Sequence, residues 1–217
     1  GSGTATVVVT AEDNITMVTY TVDITVEAGS GEDPEIIDLT GSDNADILAD
    51  TLASGLPSGS TILLKPGMVY NTGGFAFNIS LTIESSEPSN LNRPKINCAS
   101  NFNFGEFASV DSIIFRNLEF FGEYDARYVI NSNVSATVGK LVFEGCYLHD
   151  LRGVVRMKDA GPGTLEEYVI RNSVVRMIRD YGILTVDRDD WQVNHIILEH
   201  SSFSRTRSFI TSRNNSL

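Results

Sequence analysis

The sequence predicts an all-β chain wound as a parallel β-helix with three short strands per coil, and three observations carry that reading. Four segments repeat: IIFRNLEF (113–120), LVFEGCYL (141–148), YVIRNSVV (168–175) and IILEHSSF (196–203), with third residues Phe115, Phe143, Ile170 and Leu198 at steps of 28, 27 and 28. A period of roughly 20 to 50 residues marks a solenoid, whose units bury their apolar faces only by stacking on one another. Within each unit, apolar and polar residues alternate with a period of two and show no 3.6-residue stripe, which selects strands over helices. The polar columns test the register independently. Arg116, Glu144, Arg171 and Glu199 follow the first column and alternate in sign, so stacking at about 4.8 Å sets each inner charge between two opposite ones.

The remaining columns fill out the coil. Asn117, Gly145, Asn172 and His200 are the corner residues, and the pairs Leu118/Phe120, Cys146/Leu148, Ser173/Val175 and Ser201/Phe203 are inward candidates of a second strand. Val129, Val155, Ile183 and Ile210 give the third strand, with steps of 26, 28 and 27. Arg152, Asp180 and Arg207 align as a second charged column at the corner before it. Such ladders read as solvated, register-setting features worth about 0 to 1 kcal/mol per exposed pair; an ion or uronate site is the functional alternative. On this register Tyr128, Val154 and Phe209 point outward beside Ile130 and Leu184, so the third strand is apolar on both faces and needs cover. Loops 89–93 or 160–164, the N-terminal hairpin, a partner or a saccharide would supply it.

The 217 residues suffice for a sizeable core. With 16 Lys and Arg against 28 Asp and Glu, the net charge of −12 argues against nucleic acid as a partner. No stretch of 18 apolar residues is present to span a membrane, and no secretory signal is visible behind the opening Gly1-Ser2-Gly3. Cys146 falls in an inward column and reads as a small apolar core residue; a Cys98–Cys146 disulfide is the alternative.

In chain order, residues 4–10 and 17–27 are alternating β-rich strands around the turn-like Ala11-Glu12-Asp13-Asn14, giving a hairpin over residues 1–30. The hairpin resembles the last one of the immunoglobulin-like or cadherin-like sandwiches common in bacterial surface proteins. Residues 31–42, with the Gly/Ser/acid-rich stretch 28–35 at their start, form a linker leading into the one helix, residues 43–54. Ser42 or Asp43 is its expected N-cap, and Ile47, Leu48, Thr51 and Leu52 its apolar face. Placed over the open end of the first coil, that helix would shield the core and the unpaired strand edge. The β-helix then runs over 43–217, ending after a third strand without a polar cap. The expectation is that the chain is truncated there or that another molecule, including a second copy, covers the last coil.

Residues 59–70, GSTILLKPGMVY, follow the helix with the pattern G-S-x-I-x-L-x-P-G-x-x-Y. This is similar to the opening coil of pectin-lyase-like right-handed parallel β-helix proteins, and residues 81–84 and 94–98 continue it. The resemblance covers residues 36–217. It implies a right-handed coil and membership of a fold shared by polysaccharide lyases, polygalacturonases, carbohydrate-binding proteins and bacterial surface proteins, and fold alone does not fix a reaction. The Gly-His-Gly and Arg-x-Lys of the polygalacturonases and the Arg-x-Pro-x-x-Arg and Trp-x-Asp-His of the pectate lyases are absent, so none of their catalytic residues transfers.

The residues themselves offer one constellation, at the ends of the third strands. Arg156, Lys158 and Asp159 come from one coil, Asp187, Arg188, Asp189 and Asp190 from the next, and Arg213 from the last. Uronate β-elimination needs a cation at the sugar carboxylate and a base for the neighbouring proton. Calcium held by Asp159, Asp187 and Asp189 would be the first; Lys158, or less readily Arg156, would be the second. Tyr181, Arg188, Trp191 and Arg213 are the candidate ligand-binding residues, and a solvated loop edge with Trp191 as a lid on the core is the plainer account. His149, His195 and His200 occupy different columns and match no zinc motif. Whether the chain is an enzyme stays open. The expected role is a secreted or cell-surface protein that recognises a polysaccharide or oligosaccharide, with a calcium-assisted uronate lyase and a structural assembly module as alternatives.

Overall fold

The computed structural model describes residues 2–10, 17–25, 33–158 and 162–213, which divide into two units, Gly1–Asp33 and Pro34–Leu217. In the first, Ser2–Thr10 pairs antiparallel with Met17–Thr25, from Ser2 opposite Thr25 to Thr10 opposite Met17.

The second unit is a parallel β-solenoid of about six turns whose strands stack in three sheets. The first sheet runs Ile36–Asp38, Ser60–Leu64, Leu81–Ser85, Ala108–Arg116, Ala136–Glu144, Gly163–Arg171 and Trp191–Glu199. The second runs Val69–Asn71, Lys95–Asn97, Glu119–Phe121, Tyr147–Leu151, Val174–Ile178 and Ser202–Thr206. The third runs Tyr128–Ser132, Gly153–Met157, Leu184–Val186 and Ile210–Ser212. An isolated bridge from Phe102 to Ile130 links the third sheet to the residue preceding Asn103–Phe104, which pairs with Ala76–Phe77.

In the first sheet the register is the one the sequence predicts. Phe115, Phe143, Ile170 and Leu198 lie in one column, and Ile62 and Ile83 continue it into the earlier coils. Phe115 and Phe143 stack at 5.2 Å, and Phe120 meets both rings edge-on. The corner residues Asn117, Gly145, Asn172 and His200 all take the left-handed conformation, with φ of 55°, 63°, 51° and 44°. Gly adopts it freely and Asn tolerates it, which is why they punctuate the repeat there.

The charge ladder also forms from Glu84 to Arg171, while Glu199 stands in register beside Arg171 without an ion pair to it. Arg116 donates to Glu84 at 3.2 Å and to Glu144 at 3.1 Å, and Arg171 donates to Glu144 at 3.0 Å. Arg152–Asp180 and Asp180–Arg207 stand at 3.5 and 3.1 Å in the second charged column. Between the ladders and the strands, the outward Val142 and Val169 are almost fully covered.

Two expectations need correction. The helix spans Ile47–Ala53, not 43–54. Ser42 Oγ accepts the Asn44 N–H and Asn44 Oδ1 accepts the Asp46 N–H, so two successive side-chain turns hold residues 42–46 out of the helix. Asp46, with no side-chain capping bond, takes the N-cap position, while Asp43 pairs with Lys65 at 2.7 Å. Leu48 and Leu52 still enter the core beside Ile62 and Tyr70.

The third-sheet column is Ile130, Val155, Leu184 and Ile210, so Val129 and Ile183 are displaced by one residue from it. Val129, Val154 and Ile183 are equally buried, and where neighbouring residues are all apolar the hydrophobic pattern cannot fix a register. Cys98 and Cys146 are both buried free thiols, in keeping with Cys146 as a small apolar core residue and not with the alternative disulfide. Burial pushes the Cys146 thiol up to about 12 and the Cys98 thiol still higher, which keeps both inert at neutral pH.

Burial opposes the charge of Glu144, yet the bonds from Arg171 and Arg116 hold its carboxyl below its ordinary value of 4.5. Its contribution is therefore complete above that value and lost as pH falls through the depressed one. Glu144→Gln should lower stability by roughly 1 kcal/mol in urea unfolding at pH 7, and the difference from the parent should shrink towards zero as the pH is taken down to about 3.

Candidate functional site

The third sheet carries the most concentrated set of polar and aromatic groups, and a lengthened corner creates it: Ile178 to Leu184 is six steps, against four from Leu151 to Val155 and from Thr206 to Ile210. From the corner column to the third-sheet column there are three steps in most coils: Arg127 to Ile130, Arg152 to Val155 and Arg207 to Ile210. From Asp180 to Leu184 there are four. Part of the extra length appears as a bulge, in which the N–H groups of both Asp180 and Tyr181 donate to the Arg152 carbonyl at 3.0 Å. Gly182 follows at φ 61°, where a Cβ would lie 2.4 Å from the Phe209 carbonyl oxygen. No other residue fits there, and the result is that the Tyr181 side chain leaves the sheet.

Three guanidinium groups gather on the Tyr181 ring: Arg156 at 4.1 Å from its centroid, Arg152 at 4.9 Å and Arg213 at 5.2 Å. The ring also meets Tyr128 edge-on at 5.5 Å. Gly153, between the two tyrosines in the stack, permits that contact; a Cβ on it would stand 2.7 Å from Tyr181 Cβ and 3.0 Å from the Tyr128 ring. The cover for the outer face of this sheet thus comes from its own coil. Tyr128 is buried beneath Tyr181 and Arg156, whereas Arg93, from the loop considered as a lid, donates to the Gly145 carbonyl. Ile130 and Leu184 are core residues rather than outward ones.

Asp187 is the counter-charge. Its Oδ2 accepts from Arg156 Nε at 2.7 Å and lies 2.6 Å from Arg156 Nη2, while its Oδ1 lies 3.1 Å from Arg213 Nε. Burial disfavours the Arg156 charge, but the Asp187 carboxylate outweighs it and holds the guanidinium above its ordinary pKa. That pins the proton on Arg156, the opposite of what a base needs. Burial likewise raises the Tyr128 phenol.

Of the residues singled out in the sequence, Arg156, Tyr181, Asp187 and Arg213 come together here. Lys158 is exposed at the end of its strand, its N–H bonded to the Ser132 carbonyl. Arg188 sits in an exposed turn, 3.8 Å from Asp190, and Asp189 is exposed beside it. Asp159 lies outside the described residues. Among the described residues no three His, Cys, Asp or Glu side chains have metal-binding spacing, and Asp187 already faces two arginines.

Trp191 is fully buried, against Phe104 at 6.0 Å and packed into the space left by Gly163. Its indole presents no face to a ligand, which corrects its assignment as a stacking residue in favour of the core lid. His149 stacks on Tyr147 at 4.3 Å with its ring nitrogens facing Asp150 and Glu119, His195 is exposed near Glu166, and His200 holds a corner. Sequence reasoning missed Arg152 and Tyr128 as site members. The one signal was the four-residue spacing from Asp180 to Leu184 against three elsewhere.

Residues 68–205 match the family described as a domain of unknown function, DUF4957. The chain belongs to that family. The matched segment contains Tyr128, Arg152, Arg156, Tyr181 and Asp187 of the cluster, and Arg213 lies beyond it. No curated protein and no solved structure matches the chain.

Gly153→Ala should destabilise the protein by about 1 to 3 kcal/mol through overpacking. In a Tyr181→Ala background the same change should cost markedly less, a coupling read from a double-mutant cycle in thermal or urea unfolding.

Proposed function

We propose that this is a glycan-recognition protein, acting outside the cell or at its surface, whose ligand lies across the outer face of the third sheet at Tyr181. The observation that carries the reading is the convergence of Arg152, Arg156 and Arg213 on one tyrosine ring that a bulge lifts from the sheet. Bulges next to functional sites serve to re-aim a side chain. A set of rigid planar donors around an aromatic body suits a ligand rich in hydroxyl and acidic oxygens, because guanidinium forks fix direction as well as charge. The resemblance of residues 36–217 to pectin-lyase-like proteins supports a saccharide over other oxygen-rich ligands. Recognition is favoured over uronate elimination because Arg156 is held as a cation by Asp187 and so serves to bind, not to abstract a proton.

On an array of plant, bacterial and animal glycans the protein should bind a restricted set. Arg152→Ala and Tyr181→Ala should each weaken that binding at least tenfold, while Lys65→Ala, at the far end of the solenoid, should leave it unchanged. An array without a binder, or binding indifferent to both cluster substitutions, would refute the proposal.

A further inference from the structure

We infer that the Tyr181 cluster holds a tetrahedral oxyanion, a sulfate or phosphate ester on the glycan, between Arg152 and Arg213; this deepens the glycan reading and rests on it. The first argument is charge. Residues 1–121 contain 4 Lys and Arg against 16 Asp and Glu, whereas residues 122–217 contain 12 of each. The positive charge of this acidic chain is thus concentrated in the coils that build the site.

Around the bulge, five guanidinium groups share three carboxylates among the described residues. Asp180 faces Arg152, Arg179 and Arg207; Asp187 faces Arg156 and Arg213; Asp125 faces Arg179. Gathering cations beyond their counter-charges is unfavourable in the absence of an anion, and a bound one would offset it.

The second argument is shape. The planar slot a carboxylate would take is filled from within, because Asp187 uses both Arg156 Nε and Nη2 and the Nε of Arg213. The donors left over are less committed. Arg152 stands 3.5 Å from Asp180, too long for a well-formed hydrogen bond, and although its Nε is buried its side chain is a third exposed, while that of Arg213 is half exposed. These two guanidinium groups approach the Tyr181 ring from separate coils, Arg152 beside the third-sheet strand Gly153–Met157 and Arg213 beside Ile210–Ser212. Two forks on separate strands match oxygens that point in several directions, as those of a sulfate or phosphate do, better than the two coplanar oxygens of a carboxylate. Arg156, more enclosed, backs the site with its charge.

The test is calorimetric titration of the full chain with sodium sulfate, inorganic phosphate and acetate at matched ionic strength, followed by sulfated, phosphorylated and uronate-bearing oligosaccharides. One saturable site should appear for sulfate or phosphate, at least tenfold tighter than for acetate. Arg152→Gln and Arg213→Gln should each lose tenfold or more, and Lys65→Gln should not. The ester series then separates a sulfated from a phosphorylated ligand.

Acetate or uronate binding as tightly as sulfate, or no saturable site, overturns the inference, and should the variants fail to fold, the selectivity of the parent chain decides it. Failure here is distinct from failure of the glycan reading. Neutral or uronate glycans bound through Tyr181 would leave recognition standing and remove the oxyanion, whereas a sulfate site with no glycan ligand would do the reverse.

Discussion

In-register parallel stacking is the constraint on which the rest of this structure depends. Because each strand pairs with its counterpart one turn later, every side chain sits directly over another at nearly the spacing of paired strands. A residue must therefore suit its column as well as its own turn. Rings above rings satisfy that requirement inside, as Phe115 and Phe143 show. Outside, like charges would repel at this distance, and alternation is the solution that Glu84, Arg116, Glu144 and Arg171 adopt. At the corners the backbone itself must be repeated, hence the line of left-handed residues.

The cluster around Tyr181 is a local departure from that constraint. Two added residues lengthen the corner between Ile178 and Leu184, Gly182 absorbs the strained backbone, and Gly153 vacates the space through which two tyrosines two coils apart can touch. All three changes are needed together. A bulge alone would project a side chain into solvent; with the glycine gap beneath it, the ring is anchored on Tyr128 and becomes a post around which three arginines from two coils are held. Asp187 keeps the innermost of these oriented.

Much of this was legible in the sequence. The first-sheet columns, the corners and both charged ladders could be read because each alternates sharply between apolar and polar or between signs. The third sheet resisted. Val129 and Ile130, or Ile183 and Leu184, are adjacent apolar residues that all end in the core, so one register looks as good as its neighbour. The helix began late because Ser42 and Asn44, which favour caps, made turns of their own. Trp191, following an acidic run, left two readings open, a stacking residue or a lid on the core, and Gly163 opens the interior place that decides for the core. The ends of the third strands pointed to Arg156, Asp187 and Arg213, together with Lys158 and residues 188–190, which do not join them, and Asp159, which lies outside the described residues. Tyr181 stood nearby, whereas Arg152 was hidden because its ladder with Asp180 and Arg207 already accounted for it.

Each coil of a solenoid touches only the coils immediately before and after it. A short insertion such as the one that expels Tyr181 therefore disturbs a narrow band of the molecule, and the six-stranded sheet beside it continues unbroken. A lineage can gain, lose or relocate such an insertion without rebuilding its scaffold. Related chains sharing this backbone are thus free to diverge in what they hold while remaining nearly superimposable everywhere else.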